Sequence, residues 1–86
     1  MTWTVIVGRK AAKTLLSLPR PQRERLTRAI DRLKDGPWQN DLDIKPLQGR
    51  PEMRLRVGDW RVLFLVYANE IRINVVSISP RGDAYK

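Results

Sequence analysis

Residues Met53 to Val66 read MRLRVGDWRVLFLV, and this stretch decides the fold. Two alternating runs flank the dipeptide Gly58-Asp59. Glycine at the first turn position supplies the positive φ of a type II′ hairpin, so a two-residue loop is expected there. That loop pairs Val57 with Trp60, Arg56 with Arg61, Leu55 with Val62, Arg54 with Leu63 and Met53 with Phe64. Directly opposed residues share a face, and faces alternate along a strand. One face therefore carries Met53, Leu55, Val57, Trp60, Val62 and Phe64, and the other gathers Arg54, Arg56 and Arg61. Like charges set side by side repel and add nothing to the sheet. Two readings of this basic face stand: a solvated back to the sheet, or a seat for an anion such as phosphate.

Working outward, the C-terminal side continues with a turn at Tyr67 to Glu70 and a strand from Ile71 to Ser79 (IRINVVSIS). With Asn69-Glu70 as the loop, Ile71, Ile73 and Val75 join Val62, Phe64 and Val66 on the apolar face. Arg72, Asn74, Val76 and Ile78 then fall on the arginine face. On the N-terminal side, Trp38 to Pro51 is polar with scattered apolar anchors, and reads as a loop crossing back to the sheet. Its length for a connection suggests a short helical turn or a functional edge within it.

Thr2 to Val7 (TWTVIV) is rich in β-branched and aromatic residues and reads as the first strand. Arg9 to Leu18 reads as a short helix with Ala12, Leu15 and Leu16 on its apolar face. Pro19 and Pro21 bracket a break, and Pro21 suits the start of a second helix, Gln22 to Asp35. Leu26, Ala29, Ile30 and Leu33 form its apolar stripe, and Gly36-Pro37 ends it. Arg25, Arg28 and Arg32 line another face, with Glu24–Arg28 expected as an i, i+4 pair. The predicted architecture is α+β: a small β-α-α-β-β-β domain, its antiparallel sheet covered on one face by a helical hairpin, the arginine face left open.

Composition narrows the function. Eighty-six residues suffice for a single domain, 1–86. Cysteine and histidine are both absent, which removes thiolate zinc sites, disulfides and every imidazole-dependent triad. Seventeen Lys and Arg against nine Asp and Glu give a net charge of +8. Such a balance favours nucleic acid, an anionic membrane or an acidic protein as partner. No apolar run approaches the ~18–20 residues of a membrane span, and no signal peptide is evident, so a cytoplasmic location is expected.

The segment KPLQGRPEMRLRVGDWRVLFLV, the ending ISPRGDAYK and the order of elements resemble the RelE/ParE superfamily of toxin–antitoxin toxins. The likeness runs from Trp3 to Lys86. Its loosest part is Leu47-Gln48-Gly49; its more diagnostic parts are R-L-R-V-G-D-W-R from Arg54 to Arg61 and R-x-D-x-Y from Arg81 to Tyr85. The resemblance implies a toxin that cuts mRNA in the ribosomal A site without metal or cofactor. It implies catalytic roles for Arg54, Arg56, Arg61, Arg81 and Tyr85, and RNA contacts from Arg54, Arg56, Arg61, Arg72, Lys45 and Arg50. It also implies a cognate antitoxin partner, in a toxin–antitoxin hetero-oligomer, and no membrane association. ParE-type relatives inhibit DNA gyrase on the same fold, so that reading and a non-catalytic RNA-binding module stand beside the ribonuclease. The chain departs from the RelE pattern in two ways. Some RelE enzymes carry lysines where this chain has Arg54 and Arg56, and arginine is never deprotonated, so neither can be a general base. A histidine common before the late arginine is here Pro80. Tyr85, with Asp59 and Asp83 as alternatives, is left as the candidate base.

Overall fold

The computed structural model describes residues 2–80. Strand β1 (Thr4–Val7) is followed by helix α1 (Arg9–Ser17), helix α2 (Arg20–Asp31) and a 3₁₀ turn at Arg32–Asp35. Four strands follow: β2 (Asp43–Pro46), β3 (Met53–Val57), β4 (Trp60–Tyr67) and β5 (Arg72–Pro80). They form one five-stranded sheet in the order β1-β5-β4-β3-β2. β2 to β5 are antiparallel neighbours, whereas β1 runs parallel to β5. The sheet is therefore mixed. No hairpin links β1 to β5, so nothing local dictates their relative direction.

The central hairpin has the expected register, from Val57 opposite Trp60 to Met53 opposite Phe64. Gly58 has φ 58° and Asp59 is not in the positive region, which is the type II′ pattern. Its apolar face is the core. Leu55, Val62 and Phe64 are buried with Ile73 and Val75, and Trp60 packs against them. Leu26, Ile30 and Leu33 of the helical layer close this core from above, so the predicted stripe of α2 holds. Each fully buried Leu, Ile or Phe contributes roughly 1.5–3 kcal/mol.

Five local readings change. α1 turns Ala11 inward, with Leu15 and Leu18 against the core, and leaves Leu16 exposed. The 11/15/18 spacing meets the sheet, where the 12/15/16 grouping would have buried Leu16. Glu24 pairs with Arg20, one turn back, instead of with Arg28. Both partners lie four residues away on an exposed helix, so little energy separates them. The loop read over Trp38 to Pro51 contains β2, which adds an edge strand to β3. Four residues carry too little periodicity to show as a strand alone. The β4–β5 turn is a 3₁₀ turn, Ala68–Glu70, ending on Ile71 in the left-handed region at φ 50°, so Ile71 precedes the strand.

The last change reaches the site. β5 pairs with β4 as expected from Tyr67–Arg72 to Phe64–Val75, then slips, so that Leu63 faces Ser77. Val76 is the extra residue of a β-bulge. One inserted residue moves every later side chain to the other face. Ile78, expected among the arginines, is buried opposite Val62, and Ser77 and Ser79 take the arginine face. Without the bulge two hydroxyls would enter the core and Ile78 would leave it.

Candidate functional site

On the sheet face away from the helices, strand register builds a grid two residues deep and four strands wide. One row runs Lys45, Arg54, Leu63, Ser77; the next runs Asp43, Arg56, Arg61, Ser79. Adjacent strands are about 4.8 Å apart, and residues two apart on a strand about 6.7 Å, so the grid measures roughly 14 by 7 Å. Four cations are gathered there: Lys45, Arg54, Arg56 and Arg61.

The cluster carries a carboxylate that the sequence reading did not include. Asp43 Oδ1 accepts a hydrogen bond from Arg54 Nη2 at 3.0 Å, and its Oδ2 lies 4.0 Å from Arg56 Nη1. Asp43 offsets part of the repulsion between the arginines. The Arg54 side chain is only 12% exposed, so it is held in a defined position instead of waving in solvent. Arg56 and Arg61 face each other across β3 and β4, and Arg61 is half-buried. Planar guanidiniums fixed in this way can donate several hydrogen bonds at once to the oxygens of a phosphate. Asp43 was hidden because β2 was hidden: its side chain reaches the cluster through pairing with Arg56, thirteen residues along the chain.

The other predicted residues separate into groups. Lys45 stands opposite Arg54 and is exposed. Arg50 lies in the β2–β3 connection and donates from Nε and Nη2 to the two oxygens of Glu52, at 3.2 and 3.0 Å. Those hydrogen bonds hold the Glu52 carboxyl below its ordinary pKa. Arg72 is on the same face but at its far end, opposite Tyr67 and six residues along β4 from Arg61, roughly 20 Å by strand rise. It is paired with Glu70 and its guanidinium carbon lies 4.5 Å from the centre of the Tyr67 ring. Arg72 therefore does not join the cluster. Arg81 and Tyr85, and the alternative base Asp83, lie outside the described residues. The last described residue, Pro80, faces Trp60, next to Arg61.

Two of the predicted helical row Arg25, Arg28 and Arg32 are engaged away from the cluster. Arg32 is paired with Asp41, and its Nη2 donates to Gln39. The hydrogen bond from Arg32 to Asp41 pulls the Asp41 carboxyl below its ordinary pKa. The Arg25 guanidinium lies against the hairpin turn, within 2.9 Å of where a Cβ on Gly58 would stand. Among the described residues no helix is long and apolar enough to cross a membrane.

No family model matches the chain. Across its whole length it is 33% identical to the candidate toxin RelE1 of Methanocaldococcus jannaschii, of which it covers 98%. The RelE–RelB complex of Pyrococcus horikoshii contains a chain that superposes with a TM-score of 0.82 at 31% identity, covering 98% of this chain and 100% of that one. The RelBE2 toxin–antitoxin complex of Mycobacterium tuberculosis (TM-score 0.81, 19% identity, covering 94% and 100%) shares the fold. So does a mutant of the toxin RelE of Escherichia coli in the free state (TM-score 0.72, 20% identity, covering 99% and 88%). With a relative this similar over nearly all of both chains, and with the helical layer, sheet order and basic face in place, the chain belongs to the RelE family of toxins.

Proposed function

We propose that the protein is the toxin of a toxin–antitoxin pair and cuts mRNA in the ribosomal A site. The observation that carries this reading is the grid of Lys45, Arg54, Arg56 and Arg61, with Arg54 pinned by Asp43. RNA supplies its own nucleophile. The 2′-oxygen attacks the neighbouring phosphorus, the bond to the 5′-oxygen breaks, and a cyclic phosphate and a free 5′-hydroxyl result. No metal or imidazole is needed if the reacting atoms are aligned and the growing phosphoryl charge is stabilised. In this reading Arg54, Arg56 and Arg61 stabilise that charge. Tyr85, as its phenolate, takes the 2′-proton, and Arg81 stabilises the charge on the leaving 5′-oxygen, which takes its proton from water. None of the three sheet arginines moves a proton, because arginine stays charged.

The relatives named as RelE–RelB complexes support a partner as well. We infer a cognate antitoxin with an acidic segment, since the chain carries +8 and complementary charge speeds association. Primer extension on mRNA after brief expression tests the enzymatic reading. Cuts confined to translated messages, lost in Arg61→Ala and Arg81→Ala proteins that remain folded, are the expected result. Removing one charge-stabilising donor should lower the rate on the order of 10²–10³-fold. Intact messages together with inhibited DNA supercoiling would replace this reading with a gyrase-directed one.

A further inference from the structure

Beside the arginine grid, toward β5, the surface sinks into a shallow depression of about 250 Å³ lined by Lys10, Arg50, Leu63, Ser77, Ile78 and Ser79. We propose that it is a subsite for one nucleotide of single-stranded RNA next to the phosphate that is cut. The inference rests on the ribonuclease reading and adds to it the residues that hold the flanking part of the substrate.

The chemistry of the walls points to a nucleotide. Leu63 is the apolar floor, 7% exposed, suited to the face of a base or sugar. Ser77 and Ser79 present hydroxyls that make no hydrogen bond among the described residues, and each can both donate and accept. Lys10, in the first turn of α1, has no carboxylate partner among the described residues. Arg50 gives two of its five donors to Glu52 and keeps the others for an anion. An apolar floor, paired hydroxyls and two cations on the rim match base or ribose below and phosphate above. The volume falls just under the roughly 300–1,000 Å³ of sites for drug-sized ligands, which suits one base or one sugar.

Position supports the same assignment. Leu63 lies directly between Arg54 and Ser77, and Ser79 is the cross-strand partner of Arg61. The depression therefore begins one strand spacing, about 4.8 Å, from the cluster that would hold the cut phosphate. A chain seated on Arg54 and Arg61 has to continue somewhere, and this is the adjoining concavity with both polar and apolar walls. The β-bulge at Val76 creates it, because only that slip brings Ser77 and Ser79 to this face.

Fluorescence anisotropy with a labelled, uncleavable 2′-O-methyl hexanucleotide over a salt series tests the proposal on the full-length protein. Lys10→Gln should flatten the slope of log affinity against log salt by about 0.7, the loss of one single-strand phosphate contact. Ser77→Tyr fills the depression and should weaken binding about tenfold with the slope unchanged, the loss of a neutral contact worth near 1.4 kcal/mol. Should Ser77→Tyr fail to fold, Ser79→Val carries the same expectation, and Lys10→Gln alters an exposed side chain. Arg54→Ala separates the two levels of the argument. If Arg54→Ala weakens binding while the Lys10 and serine variants behave as wild type, the subsite is overturned and the ribonuclease reading stands. If Lys10→Gln flattens the slope while the serine variants do nothing, the rim holds phosphate but no nucleotide enters, which also overturns it. If wild type binds no hexanucleotide, the subsite is overturned and primer extension alone decides the ribonuclease reading; if Arg54→Ala changes nothing, both readings fail together.

Discussion

Replacing Asp43 with asparagine should make the protein less stable and a better RNA binder at once. Asp43 is the carboxylate in the grid, against Lys45, Arg54, Arg56 and Arg61, so the substitution raises the local net charge from +3 to +4. Two consequences follow from the same contacts. The 3.0 Å bond from Arg54 then ends on a neutral amide oxygen, and the 4.0 Å contact with Arg56 loses its ionic attraction. Arg54 is mostly buried, but Asp43 is 44% exposed, so solvent screens the pair and the 3–5 kcal/mol cost of breaking a fully buried ion pair does not apply. A cost of about 1 kcal/mol is expected, because asparagine can still accept from the guanidinium. For a domain of this size that lowers Tm by roughly 4–8 °C. RNA then meets the Arg54 and Arg56 guanidiniums without the Asp43 carboxylate competing for them. The slope of log affinity against log salt should steepen by about 0.7 for each extra phosphate contact, and affinity at low salt should rise. Thermal denaturation and hexanucleotide anisotropy on the same preparation read both quantities. If affinity falls along with stability, Asp43 organises the arginines for RNA instead of competing with it, and its role as an internal counter-ion is refuted.

Three further outcomes are expected. Gly58→Ala should destabilise the hairpin by about 1–2 kcal/mol, the cost of placing a side chain in the left-handed region at φ 58°. An Arg25→Ala background should not remove that cost, since the guanidinium against Gly58 is the mobile end of a side chain and can move aside; denaturant titration of both proteins checks this. Phe64→Ala empties the centre of the core, where Phe64 is fully buried, and should cost about 3–5 kcal/mol by urea unfolding, a large part of the stability of a small domain. Glu52 is held below its ordinary pKa by Arg50, so its contribution to stability is present above the unfolded carboxyl pKa and is lost as pH falls through the folded one. Arg50→Gln should move the Glu52 carboxyl back toward its ordinary value in an NMR titration, and an unchanged titration would remove Arg50 as the cause.

What could be read from the chain alone was whatever local interactions dictate. Gly58 and Asp59 set the turn, the turn set the register, and register with period-two alternation placed Arg54, Arg56 and Arg61 on one face and Leu55, Val62 and Phe64 on the other. The stripe Leu26, Ala29, Ile30 and Leu33 likewise needs only the helical repeat to be seen. Each of these depends on residues a few positions apart. What depended on long-range pairing was not legible. β2 exists because β3 offers it an edge, and only then does Asp43 reach Arg54 and Arg56. The bulge at Val76 exists because the core accepts Ile78 and rejects two serines, a choice made by burial and invisible to strict alternation. Arg72 shares a face with the cluster by parity, yet its position along the sheet puts it with Glu70 and Tyr67 instead. Lys10 meets Ser77 and Ser79 because β1 docks in parallel on β5 and carries α1 to that edge, a contact between the two ends of the chain. The arginines were thus placed by sequence, whereas the carboxylate that holds them and the depression beside them were decided by packing.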